Sequence, residues 1–224
     1  ATSMRADGRT RIAVACLALA AWSAGPLPAQ DLRGTGDLGL VVERERGRVL
    51  VVDTTARATL AAIEGLGDLS HASIVYSRDA RYAFVFGRDG GLTRVDLLRQ
   101  RIDRRVVQAG NSIGGAISQN GRVVAAQNYS PGGIKLFDAT TLELLAELPA
   151  SPGPGGKPSK VVGLADAPGG RFVASLFDAG EIWIIDASNP RVPAVRKFPG
   201  VGRQPYDGLV TPDGRWYIAG LFGE

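Results

Sequence analysis

The only histidine in the 224-residue sequence is His71, in the segment Gly65–Ser73. An imidazole can bind a metal ion or exchange a proton near neutral pH, and no other side chain titrates there when unperturbed. Arg88 follows in the turn Gly87–Gly91 and supplies a forked guanidinium that suits carboxylates. His71 is therefore interpreted either as a metal ligand or as an ordinary hydrogen-bonded histidine.

Two further segments carry candidate binding side chains. Asn111 opens a glycine-rich stretch, and Tyr129 follows one predicted strand later. Arg203 and Tyr206 belong to a third segment rich in turn residues. These segments contain no second histidine, no cysteine and no cluster of carboxylates, which excludes a zinc or di-iron site.

Other kinds of site fit the sequence poorly. The spacing of a calcium loop is absent at the acidic residues Asp89, Glu181 and Asp207. Ser70 and His71 are adjacent, so they point to opposite faces of a strand and cannot form a catalytic triad with Asp68. One imidazole with arginines fits an iron porphyrin better, because the iron takes an axial histidine and guanidiniums bind the ring carboxylates.

Residues 1–29 are predicted to be a secretory signal. Arginines precede the apolar run Ile12–Trp22, and small residues and prolines lead to a cleavage site after Ala29. The run is shorter than the ~20 residues of a transmembrane helix. Cys16 is interpreted as an apolar residue of the signal rather than as a lipidated cysteine. We therefore expect a periplasmic mature chain without a transmembrane helix.

The composition excludes several classes of protein. The net charge of +4 comes partly from the predicted signal, so the mature chain is close to neutral and we expect no nucleic-acid partner. The single cysteine excludes both internal disulfides and a Cys-x-x-Cys-His site for c-type heme. The apolar content of 45% is that of a globular domain.

A repeat of about 45 residues predicts the fold. Each copy has a polar turn that ends in an arginine, at Arg81, Arg122, Arg171 and Arg215. A second marker is an aspartate that closes an apolar strand, at Asp53, Asp96, Asp138 and Asp186. Segments rich in β-branched and aromatic residues flank the turns, as expected for hairpin strands. The sequence thus predicts an all-β protein with β-propeller architecture and four strands in each blade.

The repeated arginines and aspartates are interpreted as structural, because they occupy one equivalent position in every blade. Functional residues should be those that depart from the repeat. The chain holds about four blades, and a propeller closes by joining its last blade to its first. Residues 30–224 are therefore expected to be the N-terminal part of a longer propeller that is truncated at its C-terminus.

The stretch Leu66–Leu97 resembles the first blades of the heme d1 domain of cytochrome cd1 nitrite reductase. The matching residues are His71, Arg81-Tyr82, Gly87-Arg88-Asp89 and Val95-Asp96-Leu97. The resemblance extends loosely over most of the mature chain. It implies that His71 is the proximal axial ligand of the heme iron and that Arg88 lies near the heme carboxylates.

Two departures separate this sequence from the reductase. It shows no c-heme domain, and Tyr206 precedes Asp207-Gly208 where the reductase has a distal histidine. The sequence is more similar to the NirF family of heme d1 biosynthesis proteins. That similarity implies an eight-bladed periplasmic propeller that acts late in heme d1 maturation. Arg203 would then bind carboxylates, Tyr206 would cover the distal face, and Asn111 and Tyr129 would be further contacts.

Three functions stay open at this point. The first is an enzyme that carries out a redox or side-chain conversion on dihydro-heme d1 or an earlier precursor. The second is a carrier without catalytic activity that delivers heme d1 to nitrite reductase or to other maturation proteins. The third is a heme-free periplasmic propeller, either lactonase-like or an interaction module. The sequence assigns no catalytic residue.

Overall fold

The structure, a computed structural model, describes residues 36–224, which fold almost entirely into antiparallel strands. The strands are β1 (Leu38–Glu43), β2 (Arg48–Asp53), β3 (Ala58–Ile63), β4 (Ser73–Tyr76), β5 (Tyr82–Phe86), β6 (Gly91–Asp96), β7 (Arg101–Val107), β8 (Asn111–Ile117), β9 (Val123–Ser130), β10 (Ile134–Asp138), β11 (Leu144–Leu148), β12 (Val161–Ala167), β13 (Arg171–Leu176), β14 (Glu181–Asp186), β15 (Ala194–Pro199), β16 (Pro205–Val210) and β17 (Tyr217–Leu221). Short 3-10 helices span Arg44–Arg46 and Pro154–Gly156. The predicted signal, including Cys16 and the cleavage site after Ala29, lies outside the described residues.

The strands form a series of meandering sheets, each made of consecutive antiparallel strands. Blade 1 is β1–β3, blade 2 is β4–β7, blade 3 is β8–β11, blade 4 is β12–β15 and blade 5 is β16–β17. The first strands of blades 2 to 5 pack against one another in chain order. Three complete blades and two partial ones agree with the predicted propeller of about four blades.

Both sequence markers of the repeat have the predicted positions. The four arginine-ended turns join the first and second strands of blades 2 to 5. The four aspartates end the third strand of blades 2 to 4 and the corresponding strand β2 of blade 1. Each accepts hydrogen bonds from the backbone just beyond it, as Asp138 does from the N–H groups of Thr140 and Thr141 at 2.8 Å. They therefore build the turn into the outer strand, as the interpretation of the repeat expected.

The hydrophobic core lies between neighbouring blades. Val49 and Val51 of blade 1 pack with Val85 and Val95 of blade 2 in one buried cluster. Similar clusters join blade 2 to blade 3 and blade 3 to blade 4, around Phe86 and Trp183 respectively. Burial of such side chains contributes about 1.5–3 kcal/mol each. Each blade is thus stabilised mainly by its neighbours, which keeps its ends free to carry loops.

Among residues 36–224, no helix has the length and apolar character needed to cross a membrane.

Candidate functional site: one end of blades 2 to 5

All six candidate residues lie at the same end of their blades. In each meander, the start of the first strand is beside the end of the second, as in the pairs Ser73↔Phe86 and Asn111↔Ser130. This end, defined by the starts of β4, β8, β12 and β16 and the ends of β5, β9, β13 and β17, is called the rim. The candidates are His71, Arg88, Asn111, Tyr129, Arg203 and Tyr206.

His71 is held by the loop between β3 and β4. Leu66 and Leu69 anchor this loop, since each is only 1% exposed. The Asp68 carboxylate accepts a hydrogen bond from the backbone N–H of Ser70 at 2.8 Å and so closes a local turn just before His71. These contacts hold the loop, which places the half-buried imidazole of His71 at the rim.

Arg88 is the neighbour of His71. Its Nη1 atom lies 3.5 Å from Nδ1 of His71, and its backbone N–H donates to the Asp68 carbonyl at 2.7 Å. Because a guanidinium only donates, Nδ1 is the acceptor in this contact. Hydrogen bonds from Ser70, together with the nearby charge of Arg88, hold the pKa of Asp68 below its ordinary value. An imidazole, a cation and a carboxylate are thus combined on one loop and one turn.

Tyr129, in β9 of blade 3, lies within electrostatic range of groups in blades 2 and 5. Burial raises the pKa of Tyr129 to about 12, and the Tyr206 hydroxyl and the Asp207 carboxylate add to the increase. The Arg88 guanidinium acts in the opposite direction. Side chains of blades 2, 3 and 5 therefore share one electrostatic environment, although their residues are far apart in the sequence.

Tyr129 is expected to ionise at about pH 12 in the ligand-free, full-length protein. Because the folded state retains the phenol proton, the stability contributed by Tyr129 is present below its unfolded pKa of ~10 and is lost as the pH rises through its folded pKa. The measurement is the ultraviolet absorbance of tyrosinate during an alkaline titration. Tyr129→Phe should remove only this late step, and loss of an earlier step instead would contradict the prediction.

Asn111 contributes an unused acceptor. Its Oδ1 atom is buried and has no hydrogen-bond partner among the described residues. Asn111 pairs with Ser130, so it lies beside Tyr129 at the start of β8. A buried acceptor without a partner costs about 1–3 kcal/mol. Such a group is suited to accept a hydrogen bond from a bound molecule.

Aromatic rings cover the part of the rim that belongs to blades 4 and 5. Tyr206 packs with Phe177 in an edge-to-face arrangement at 5.9 Å and with Phe222 at 5.4 Å between ring centroids. The Lys160 ammonium lies 4.7 Å from the centre of the Phe177 ring. These rings form an apolar surface bordered by a cation, which is the usual character of a site for a flat aromatic ligand.

Arg203 lies beside these rings. It is exposed, its guanidinium donates to the carbonyl of Gly223, and it lines an open cavity of about 360 Å³ together with Phe177 and Gln204. The structure thus associates Arg203 and Tyr206 with blades 4 and 5, and His71 and Arg88 with blade 2. The interaction of Tyr129 with Tyr206 and Arg88 connects the two groups.

Sequence reasoning missed Lys160 and Phe177. Lys160 directly precedes β12, as His71 shortly precedes β4, and Phe177 directly follows β13, as Arg88 follows β5. Alignment of the blades on these strand ends would have identified both, although neither interrupts a recognisable motif. The Asp89 carboxylate accepts hydrogen bonds from Arg105 and from the N–H of Gly91. Within residues 36–224, no group of three or more His, Cys, Asp or Glu side chains is arranged to hold a metal ion.

The fold and the rim define a β-propeller with a histidine, arginines and aromatic rings at one end. The chain belongs to the cytochrome D1 heme domain family, which it matches over residues 33–224. It is 64% identical to "Protein NirF" of Pseudomonas aeruginosa over 194 residues, which are 86% of this chain and 50% of that protein.

A dihydro-heme d1 dehydrogenase is found both among the more distant sequence relatives and among the solved structures that match. The "Dihydro-heme d1 dehydrogenase" of Pseudomonas aeruginosa is 30% identical over 183 residues, which are 81% of this chain and 36% of that protein. The solved structure of "Dihydro-heme d1 dehydrogenase NirN in complex with DHE" matches with a TM-score of 0.75 at 26% identity, over 87% of this chain and 42% of that one. The chain therefore spans about half the length, or less, of these relatives.

Proposed function

We propose that this chain takes part in heme d1 biosynthesis, in which it binds a d1-type tetrapyrrole late in maturation of the cofactor for nitrite reductase. The observation that carries the proposal is the pairing of a single half-buried histidine with Arg88 at the rim. Membership of the cytochrome D1 heme domain family and the similarity to NirF support it. The sequence pattern of residues 1–29 supports a periplasmic location for this activity.

The side chains at the rim fit such a ligand. His71 would bind the iron, Arg88 and Arg203 would bind ring carboxylates, and Tyr206 would cover the distal face. Asn111, with its unpartnered Oδ1, would accept a hydrogen bond from the ligand, and Tyr129 would lie nearby with its hydroxyl protonated. When bound, the tetrapyrrole would supply the redox-active iron and the conjugated ring. The protein supplies orientation, charge neutralisation and shelter from water.

A mixing experiment tests the proposal. Dihydro-heme d1 is added to the ligand-free, full-length protein with and without an added electron acceptor, which would take the two electrons of a dehydrogenation. Absorption spectra record binding, and mass spectrometry of the extracted tetrapyrrole records any chemical change beyond that seen without protein. Saturable binding is expected, and its absence would overturn the proposal in favour of a heme-free propeller. A changed tetrapyrrole would identify an enzyme, as the similarity to a dihydro-heme d1 dehydrogenase favours. Release of the unchanged molecule to nitrite reductase would identify a carrier.

A further inference from the structure

Arg105 connects the loop that carries His71 to the turn that carries Arg88. It lies on β7, the outer strand of blade 2, away from the first strands of the blades. Its Nε atom donates to the carbonyl of Leu66 in the His71 loop at 3.2 Å. Its Nη2 atom donates to Oδ2 of Asp89 at 2.5 Å, in the turn that carries Arg88. One guanidinium therefore bonds both segments at once, through two different nitrogens of its planar fork.

The Asp89 side chain and the backbone beside Leu66 confine the Arg105 guanidinium. Asp89 uses its other oxygen, Oδ1, to accept the N–H of Gly91 at 2.9 Å. Gly67 adopts a φ of +84°, and a Cβ atom at this position would collide with Oδ2 of Asp89 and Nη2 of Arg105. The Arg105–Asp89 ion pair therefore occupies the space beside Gly67 that a side chain at that position would fill.

A backbone hydrogen bond completes the connection. The N–H of Arg88 donates to the carbonyl of Asp68 at 2.7 Å. The loop and the turn are therefore joined directly by this bond and by the contact of Arg88 with His71, and indirectly through Arg105, which bonds one residue of each. Because the Arg105 and Asp89 side chains are 24% and 31% exposed, the ion pair is screened by water, and its main effect is geometric rather than on overall stability.

We propose that Arg105, acting with Asp89, is a positioning residue that fixes His71 and Arg88 relative to each other. The role in ligand binding rests on the proposed function. Loss of this clamp, the bonds of Arg105 to Leu66 and Asp89, would leave the loop held by the backbone hydrogen bond to Arg88, the contact of His71 with Arg88 and the packing of Leu66 and Leu69. His71 would then approach a bound ligand over a range of orientations, so that coordination becomes weaker and less uniform.

The test combines two readouts on the full-length protein. Amide hydrogen exchange of segment 65–72 is measured without ligand, and heme d1 is then titrated while the low-spin absorption that depends on His71 is followed. Arg105→Ala should accelerate exchange in this segment and weaken heme d1 binding about tenfold. Arg105→Lys should restore both properties in part, since its ammonium can reach one partner but not both.

Arg104→Ala is the matched control, because Arg104 is the exposed neighbour of Arg105 on the same strand. It should leave both exchange and binding unchanged. Unchanged exchange in Arg105→Ala would overturn the clamp, and so would faster exchange with an unchanged His71-dependent spectrum. A wild-type titration without any His71-dependent spectrum would instead overturn the proposed function, and the exchange data alone would then decide whether Arg105 holds the loop.

Discussion

Replacement of His71 by alanine is expected to abolish the low-spin absorption of bound heme d1 and to weaken binding about 100-fold. Loss of an outer-shell partner of a metal ligand already costs about 10–100-fold in affinity, and the ligand itself should cost at least as much. His71 is the only histidine of the 224 residues, so none of the other residues can replace it with an imidazole. The measurement is a spectrophotometric titration of the full-length variant beside wild type.

Arg88→Ala is the control for this experiment. It leaves the imidazole in place, so the low-spin spectrum should persist while affinity falls, because a carboxylate partner is lost. Added imidazole should restore the low-spin spectrum of His71→Ala by occupying the vacated position. A His71→Ala variant with the wild-type spectrum would show that His71 does not bind the iron.

Asp96→Ala is expected to lower the free energy of unfolding by about 3 kcal/mol, at the lower end of the range for breaking a buried ion pair. The Asp96 side chain is only 1% exposed. Its two oxygens accept hydrogen bonds from the Arg81 guanidinium at 3.0 and 2.8 Å, and Oδ1 also accepts the N–H of Arg99 at 2.9 Å. The variant would lose the turn and leave Arg81 without its counter-charge. Chemical denaturation of the full-length protein measures the change.

Asp186→Ala is the matched control. Asp186 closes the equivalent strand of blade 4, but it is exposed, and its Oδ1 accepts the N–H of Ser188 at 2.9 Å without a buried arginine ion pair among the described residues. The expected loss is much smaller. Equal losses in the two variants would show that the turn, rather than the buried ion pair, carries the effect at Asp96.

The effect of Asp96 should also depend on pH. Burial acts to raise the pKa of Asp96, but hydrogen bonds from Arg81 and Arg99 outweigh it and hold the pKa below its ordinary value. A carboxylate of this kind contributes stability above its unfolded pKa of ~3.9, and this contribution is lost as the pH falls through its folded pKa. The difference in Tm between wild type and Asp96→Ala should therefore narrow in acid.

Much of the fold is readable from the sequence because its signals are local. A turn that ends in arginine and an aspartate that bonds the backbone two or three residues ahead are properties of short segments. The family followed from the resemblance of the stretch Leu66–Leu97, and the six candidate residues could be named because they depart from the repeat. The common end of the blades then follows from the meander topology alone.

The contacts that these side chains make could not be predicted from the sequence. Arg105 bonds Leu66, 39 positions away, and no local pattern distinguishes it from the exposed Arg104 beside it. Equivalent positions also take different partners: Arg81 pairs with Asp96, whereas Arg171 donates to the carbonyl of Pro168. Asn111 could be named as a candidate, but its unpartnered Oδ1 depends on how β8 and β9 meet. Such features arise from packing between segments and need the structure.

The meander topology also has an evolutionary consequence. Blades 2 to 5 each place two or three side chains at the rim from the ends of their strands, whereas the hydrophobic clusters that stabilise the blades lie between the sheets. A substitution at one strand end therefore alters the rim at one blade and leaves the hydrophobic clusters intact. Successive substitutions of this kind can convert an enzyme into a carrier, or change which tetrapyrrole the rim of such a propeller binds. The fold can stay stable at every step.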